Sequence, residues 1–497
     1  MDLNGIFDVI VVGGGPAGSI AARYSKLNGI SRVLVIEENT SIGTPVQCAG
    51  LLSAAALQET DMDPNPSFVL NAVKGADVYS PSGRHLRITG KETKAYVVSR
   101  KMFDRSLALK AAAEGAEYLM KAQVVGLGET VFADDSGDLK CKALKIRHGG
   151  ELKTLYAKVI IAADGVRSRT AGFAGLSRCE KILSGIQIEA NYKSNGTDFV
   201  EIFAGQEAPG FFAWTIPVSE TVSRIGLAVD PKAIKTAEKK KRDDAPANEF
   251  SVRELSANES SVNKLSANES SVNESSVNGS SVNESSVNES SANESSANKL
   301  SVNKLSANAL SVNEFSADLG QTAGSYLNRL IQNPVISGRL KSGYTDFVVG
   351  GIPIGPMKKT YAVGLMVVGD AAGQCKPVSG GGIYTSAVAA KIAAKVAAEA
   401  IEENDFSEKK MAEYEKRWKK ELGRELEIGM HAHAYRMRLT DKEMDELFDE
   451  LNDPEILDLI TEYGDMDHPS VLIRKLMLSK HSLKMTKLFG TFLKTLF

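Results

Sequence analysis

Residues 7–19 read FDVIVVGGGPAGS. The apolar run Val9 to Val12 enters the turn Gly13-Gly14-Gly15, and Pro16-Ala17-Gly18 opens a helix-forming stretch that reaches Ala22. Apolar strand, glycine turn and helix in this order predict the start of a dinucleotide-binding βαβ unit. Gly13 permits the tight turn, Gly15 lets the backbone approach a pyrophosphate, and Gly18 allows the helix to pack closely on the strand. The first helical turn, with Ala17, presents free N–H groups and the positive end of the helix dipole to phosphate. Arg32 to Glu37 (RVLVIE) predicts the next strand. Glu37, at its end, is placed to accept hydrogen bonds from ribose hydroxyls. An acid there fits an unphosphorylated ribose, which leaves NAD or FAD and disfavours NADP.

Outward from this unit, the chain has 497 residues, 43% apolar and 24% charged, with a net charge of −3. That is ordinary globular composition, long enough for more than one domain, and nothing in it points to a nucleic-acid partner. Cys48, Cys141, Cys179 and Cys375 are scattered without a CxxC pair, so neither a disulfide nor a zinc framework is expected, and a reducing cytoplasm is the simpler location. His431 and His433, two apart in a helical segment, point to different faces, and no metal site is expected. The short acidic start has no basic n-region, and no run of apolar residues is long enough to span a bilayer.

Two later stretches repeat the logic of the first. Lys158 to Ala163 (KVIIAA) is a buried strand closed by Asp164-Gly165, and Leu365 to Val368 is another, closed by Gly369-Asp370-Ala371-Ala372-Gly373. Ligands of open α/β sheets bind at the C-terminal ends of the strands, so Asp164, Gly165, Asp370 and Ala371 are candidate cofactor contacts. Asp370 is expected to hold ribityl hydroxyls of a flavin, and Ala371-Ala372 to start a helix facing the pyrophosphate. Tyr96 to Gly115 predicts a strand and then a helix carrying Arg100. From Ile182 to Asp230 the texture changes to alternating β-rich sequence such as VSRIGLAV, which predicts an antiparallel sheet. The stretch after Gly382 predicts a long Ala-rich helix, and the chain beyond Ser407 is mostly helical.

From about Asn248 to Asp318 the sequence has a period of five, with Asn recurring from Asn258 to Asn313. Five residues step roughly 140° around a helix, so no face stays apolar. A solvated, disordered insertion is expected. Near the C-terminus, Met485, Leu488, Phe489, Phe492, Leu493 and Leu496 follow helical spacing among Lys484, Lys487 and Lys494. This predicts a basic amphipathic helix, lying on a membrane surface or packed on the core.

Together the GxGxxG start, the Asp164 motif and the Asp370 motif resemble the FAD-binding monooxygenase and reductase superfamily typified by p-hydroxybenzoate hydroxylase. Arg100, followed by Phe103-Asp104-Arg105, fits that superfamily's arginine on the helix between the first two motifs, and the resemblance implies a contact to the phosphate or adenosine side of FAD. No second GxGxxG is present, so electrons are expected from transiently docked NAD(P)H or from a protein carrier such as ferredoxin. Within the superfamily, PVQCAGLLS, SRKMFDRSLA, IIAADGVRS, PGFFAWTIP and GGIPIGPMKKTYAVGLMVVGDAAGQCKPVSGGGIYTS resemble the geranylgeranyl reductases, and more narrowly the archaeal digeranylgeranylglycerophospholipid reductases. The resemblance implies saturation of prenyl double bonds in an ether phospholipid by reduced FAD, peripheral contact with the inner face of the cell membrane, and a role in membrane lipid biosynthesis. It places Cys48, Ala49 and Gly50 in a loop near the isoalloxazine, with Cys48 as a proton donor or a flavin-tuning group. The bland alternative for Cys48 is a buried small hydrophobe. It also places Gly381, Gly382 and Ile383 beside the flavin ring, where backbone N–H groups stabilise negative charge.

The family's Pro-x-x-Tyr-x-Trp-x-Phe-Pro segment reads here as Pro209, Phe212, Trp214, Ile216 and Pro217. A tyrosine hydroxyl is lost, and the apolar wall of Phe212, Trp214 and Pro217 either suits a hydrocarbon substrate or is a core aromatic cluster. A flavin hydroxylase, an electron-transfer flavoprotein passing electrons to quinone, and a non-catalytic flavin-binding scaffold are the rival readings. The expected architecture is α/β: a Rossmann-like FAD-binding domain with an inserted antiparallel β-sheet substrate domain and a helical C-terminal region. Its parts are FAD-binding residues 1–180 and 340–405, substrate-sheet residues 181–235 and 321–339, the repeat insertion 236–320, and the helical region 406–497.

Overall fold

A computed structural model describes residues 3–132, 140–234 and 322–480. The repeat insertion expected at 236–320 and the amphipathic helix expected at Met485–Leu496 lie outside the described residues.

Ile6–Val12 is the centre of an eight-stranded sheet. It pairs in parallel with Glu151–Ala162 on one side and with Val33–Ile36 on the other. Leu365–Val367 continues the parallel order beyond Glu151–Ala162, and Glu117–Leu119 beyond Val33–Ile36. Alternate residues of these strands bury on opposite faces. Val9, Val11, Val33, Val35, Val159 and Ile161 pack under helices, whereas Ile10, Val12, Leu34, Ile36 and Ile160 pack on the other side. Burial on both faces is why the strands read as unbroken apolar runs. Each such side chain contributes roughly 1.5–3 kcal/mol.

The first face is covered by Pro16–Leu27, Arg100–Ala113 and the 20-residue helix Ile383–Glu402. Ala387, Ala390, Ala393 and Ala394 of the last are fully buried, and their small side chains let it lie close against Pro16–Leu27. The second face is covered by an antiparallel ribbon, Ala122–Phe132 with Lys140–His148, and by the short helix Arg169–Phe173. The cofactor domain is therefore a three-layer Rossmann-like α/β fold.

A second, seven-stranded sheet runs in the order Leu340–Pro353, Ile182–Tyr192, Val222–Val229, Ala213–Pro217, Phe199–Phe203, Gly75–Tyr79, His85–Thr89. All its pairings are antiparallel except that of Phe199–Phe203 with Gly75–Tyr79. Residues 340–353, grouped by sequence with the FAD-binding part, form an edge strand of this second sheet, and residues 75–89 add two strands at its opposite edge. The helix Ala323–Gln332 buries Tyr326, Leu327 and Leu330 against the strands Ile182–Tyr192 and Val222–Val229. A small sheet of Leu51–Ser53, Ala95–Val98 and Val69–Val73 also belongs to this part of the chain. Beyond Ser407 the described chain is helical to Leu478.

Candidate active site

Parallel pairing puts the ends of Ile6–Val12, Glu151–Ala162 and Leu365–Val367 side by side, and so brings the three motifs together. Gly13 has φ +100°, and a β-carbon on it would lie 2.4 Å from the Ala163 carbonyl oxygen. Gly18 leaves no space either, since its β-carbon would meet the Gly13 oxygen at 1.9 Å. Gly369, at φ +67°, would put a β-carbon 2.8 Å from that of Ala17. Each motif is thus packed against another through glycine.

Gly15 is different. Nothing in the protein lies within 4 Å of the place its β-carbon would take, and no side chain caps the helix it begins. Open space before an uncapped helix N-terminus suits a pyrophosphate. Glu37 is buried; one carboxylate oxygen accepts from Gly14 N at 2.8 Å, and the other from Asn39 N and Nδ2 at 2.8 and 2.7 Å. These bonds fix the carboxylate at the strand end and leave a lone pair for a ribose hydroxyl.

Asp370 is half-buried, and among the described residues no donor is hydrogen bonded to its carboxylate. Burial raises its pKa, and the Arg100 guanidinium opposes that shift. A β-carbon on Gly382 would lie 2.8 Å from Asp370 Oδ1. An unsatisfied carboxylate beside a glycine run has room for donors from outside the chain, and the hydroxyls of a flavin are donors of the right kind. The residues present therefore fit FAD.

Two expected contacts have other partners. Asp164 Oδ1 accepts from Ser168 Oγ at 2.5 Å, and Oδ2 from Arg169 N, Thr170 N and Thr170 Oγ1 at 2.8–2.9 Å. Its carboxylate ties the strand end to the next helix, while Gly165, at φ +74°, keeps open space before it. Arg100 makes a two-pronged pair with Asp104 at 2.9 and 3.0 Å and also reaches the Cys48 thiol. One expectation is corrected. Gly369–Ala372 forms a single 3-10 turn, because Gly373 at φ +70° ends it. Ala371 and Ala372 are buried, and the free helix N-terminus belongs to Ile383.

Cys48 is partly exposed, and the other three cysteines are buried. Its sulfur accepts from Gly50 N at 3.3 Å. Arg224, from the second sheet, holds this loop. Its Nη1 donates to Ala49 O at 2.9 Å and to Val98 O at 3.0 Å, and its Nε to Glu189 at 3.0 Å. Gly50, at φ +75°, makes room, since a β-carbon there would lie 2.2 Å from Arg224 Nη1. The edge strand abuts the same loop, with the β-carbon place of Gly350 only 2.8 Å from Gln47 O.

The aromatic segment follows the loop. Phe211 and Phe212 stack at 4.2 Å, and Phe212 meets Trp214 edge-on at 6.0 Å. Trp214 Nε1 donates to Gln187 at 2.9 Å, and Gly226 leaves space for the indole. Phe211 reaches the glycine run, 3.3 Å from the β-carbon place of Gly380. Pro217 closes the strand, its carbonyl accepting from Asn71. The glycine run is held from below by Lys376, which pairs with buried Asp467, itself bonded to Ser53 at 2.6 Å.

The chain is also similar to known proteins. The family model described as FAD binding domain matches residues 7–277. A digeranylgeranylglycerophospholipid reductase from Methanocaldococcus jannaschii is 32% identical over 91% of this chain and 92% of its own. One from Methanococcus aeolicus is 30% identical over 91% and 92%. Among solved structures, a geranylgeranyl bacteriochlorophyll reductase-like protein from Thermoplasma acidophilum superposes with a TM-score of 0.69 at 26% identity, covering 98% of this chain and 99% of that one. The chain belongs to the digeranylgeranylglycerophospholipid reductase family. Its cofactor is FAD.

Within this member of the family, Arg224 and Glu189 were not singled out from the sequence. The signal was present: an arginine at an alternating position of an otherwise apolar strand must find buried partners. Arg224→Met removes the tie between the Cys48 loop at Ala49 O and the strand at Val98 O, and leaves Glu189 unpaired. We expect a loss of about 2–3 kcal/mol in stability and faster alkylation of Cys48 in the folded holoprotein. An unchanged alkylation rate would show that Arg224 does not hold the loop.

Proposed function

We propose that this chain is an FAD-dependent reductase that saturates the double bonds of geranylgeranyl chains on an ether-linked archaeal phospholipid. The observation that carries the reading is the Phe211–Phe212–Trp214 cluster, whose Phe211 lies against Gly380 of the glycine run that follows the Asp370 motif. An apolar wall there suits a hydrocarbon. Relatives named for the same activity support it.

An isolated prenyl double bond has no carbonyl to accept electron density, so its reduction needs a proton as well as a hydride equivalent. Bound and reduced, FAD supplies the hydride equivalent. Phe212 and Trp214 orient the chain and exclude water. Cys48 gives its S–H proton to the second alkene carbon. The thiolate left behind is stabilised by the Gly50 N–H and by Arg100. Gly13, Gly15, Gly18, Glu37, Asp370, Gly381 and Gly382 bind the cofactor, and Asp164 keeps the strand end in place. Electrons come from ferredoxin or from transiently docked NAD(P)H, and the enzyme works peripherally at the inner face of the membrane. No helix among the described residues is long and apolar enough to cross a membrane.

The test is anaerobic incubation of the dithionite-reduced holoprotein with digeranylgeranylglyceryl phospholipid, followed by mass spectrometry of the lipid. Stepwise gain of hydrogen pairs is expected. Gain of oxygen, seen only in air, would favour the hydroxylase instead. Cys48→Ser should slow the single-turnover reduction about 100-fold or more, the range of general acid catalysis. A full rate would remove Cys48 as the acid.

A further inference from the structure

This protein pairs its buried guanidinium groups with carboxylates. Arg100 has Asp104, Arg224 has Glu189, and Arg339 has Glu201. Arg436, on the helix Arg424–Arg436, does not follow the pattern. Among the described residues it makes no ion pair, and its Nε is buried without a hydrogen-bond partner. Burial alone lowers its pKa to about 10, with no neighbouring acid to oppose the shift. A desolvated cation without an anion is costly, and such a group ordinarily neutralises or finds a partner.

Its polar neighbour among the described residues cannot serve. Arg436 Nη2 lies 3.3 Å from His433 Nδ1, and His433 Nε2 lies 2.9 Å from Lys181 Nζ. A neutral imidazole has one accepting nitrogen, so one of these contacts sets donor against donor. Asp230, the acid of the cluster, is taken by Lys181 at 2.8 Å. With the imidazole neutral and Lys181 balanced, the positive charge of Arg436 is left over. The guanidinium carbon stands 4.9 Å from the Phe211 ring centre and 5.8 Å from that of Phe212. Stacking on ring faces eases the cost but does not satisfy in-plane N–H groups.

An uncompensated guanidinium at the edge of an apolar aromatic wall matches a ligand with an anionic head and a hydrocarbon tail. We propose that Arg436, backed by His433 and Lys181, is a subsite for a phosphate group, filled by the phosphate ester at the head of the prenyl lipid. A phosphate oxygen would take the outer Nη donors of the guanidinium, neutralise its charge and relieve the donor–donor contact at His433. The assignment rests on the reductase reading above. It gives the enzyme a fixed register, with the head anchored beside Phe211 and the chain laid along Phe212 and Trp214.

The test compares two lipids with the same chains, digeranylgeranylglyceryl phosphate and uncharged digeranylgeranylglycerol, in the wild-type holoenzyme and in Arg436→Met. The wild type should favour the phosphate in kcat/KM. The variant should narrow that ratio about 10- to 100-fold, the worth of a charge-assisted contact, with Arg436→Lys between. Inorganic phosphate should compete with the phosphorylated lipid in the wild type and not in Arg436→Met. The melting temperature of the variant should hold or rise, because an unpaired buried charge has been removed.

An unchanged ratio would overturn the subsite. So would loss of turnover on both lipids with FAD retained, or tight inorganic phosphate binding without any lipid preference. A lower melting temperature with an unchanged ratio would mean that an acid of the chain itself pairs Arg436. If the wild type reduces neither lipid, the reductase reading falls. Calorimetry of inorganic phosphate with wild type and Arg436→Met then decides the subsite separately.

Discussion

Gly13→Ala should give a protein that melts several degrees lower and retains no FAD, whereas Gly15→Ala should fold as the parent does and lose only the cofactor. The contrast follows from what surrounds each residue. Gly13 has φ +100°, and its β-carbon would stand 2.4 Å from the Ala163 oxygen and 2.8 Å from the Ala163 carbon. Both atoms are backbone just past the end of the strand Glu151–Ala162, held in place by the Ala163 N–H bond to Val12 O at 2.8 Å. Left-handed strain and overpacking together cost about 3 kcal/mol or more. Gly15 sits at φ −68° and ψ −173°, which alanine adopts freely, and its β-carbon would touch nothing in the protein. That β-carbon would fill space reserved for close approach of phosphate to backbone, so FAD affinity should fall at least about tenfold, or ~1.4 kcal/mol. Flavin absorbance per polypeptide and melting of the FAD-free proteins separate the two effects. Wild-type affinity in Gly15→Ala would show that the pyrophosphate does not lie against this turn.

The same pair of glycines shows why the cofactor domain was legible in the sequence. A strand of a parallel sheet is buried on both faces, so VIVV, RVLVIE, KVIIAA and LMVV each announce themselves without help from distant residues. Their C-terminal ends must share one edge, which is where Glu37, Asp164 and Asp370 were placed. What a three-residue motif cannot tell is which donors reach its carboxylate. Asp164 and Asp370 read alike, yet four donors of the Ser168–Thr170 turn converge on Asp164, while Asp370 is left open.

The second sheet was less legible because its strands come from far apart. Gly75–Tyr79 joins Phe199–Phe203 across more than a hundred residues, and no local pattern records that pairing. The helix Arg424–Arg436, which carries His433 and Arg436, was similarly opaque. A polar stretch such as HAHAYRMRL reads as a solvated face, and only packing against Phe211 reveals the imidazole and guanidinium that turn inward.

That packing makes the protein sensitive to mild acid. His433 is 3% exposed and sits between Lys181 and Arg436, with Asp230 on the far side of Lys181. Burial, first, and the two neighbouring cations, second, push its pKa down from 6.5 to about 4. Between those values the unfolded chain binds a proton at this position and the folded protein does not. Stability therefore falls as pH drops from about 6.5 towards 4, and levels off below. A shift of about 2.5 units at ~1.4 kcal/mol each sets a ceiling of about 3.5 kcal/mol on the loss. The raised carboxyl of Asp370 works in the opposite sense, since it favours the folded state as acid is added. Carboxylates with lowered values, such as Asp77 and Asp230, lose their contributions only below about pH 4, so the window above belongs to the histidine. His433→Gln keeps an accepting oxygen for Lys181 and removes the titration. Melting temperatures at pH 7 and pH 4.5 should converge in that variant relative to the wild type. The same drop in both proteins would place the acid sensitivity elsewhere.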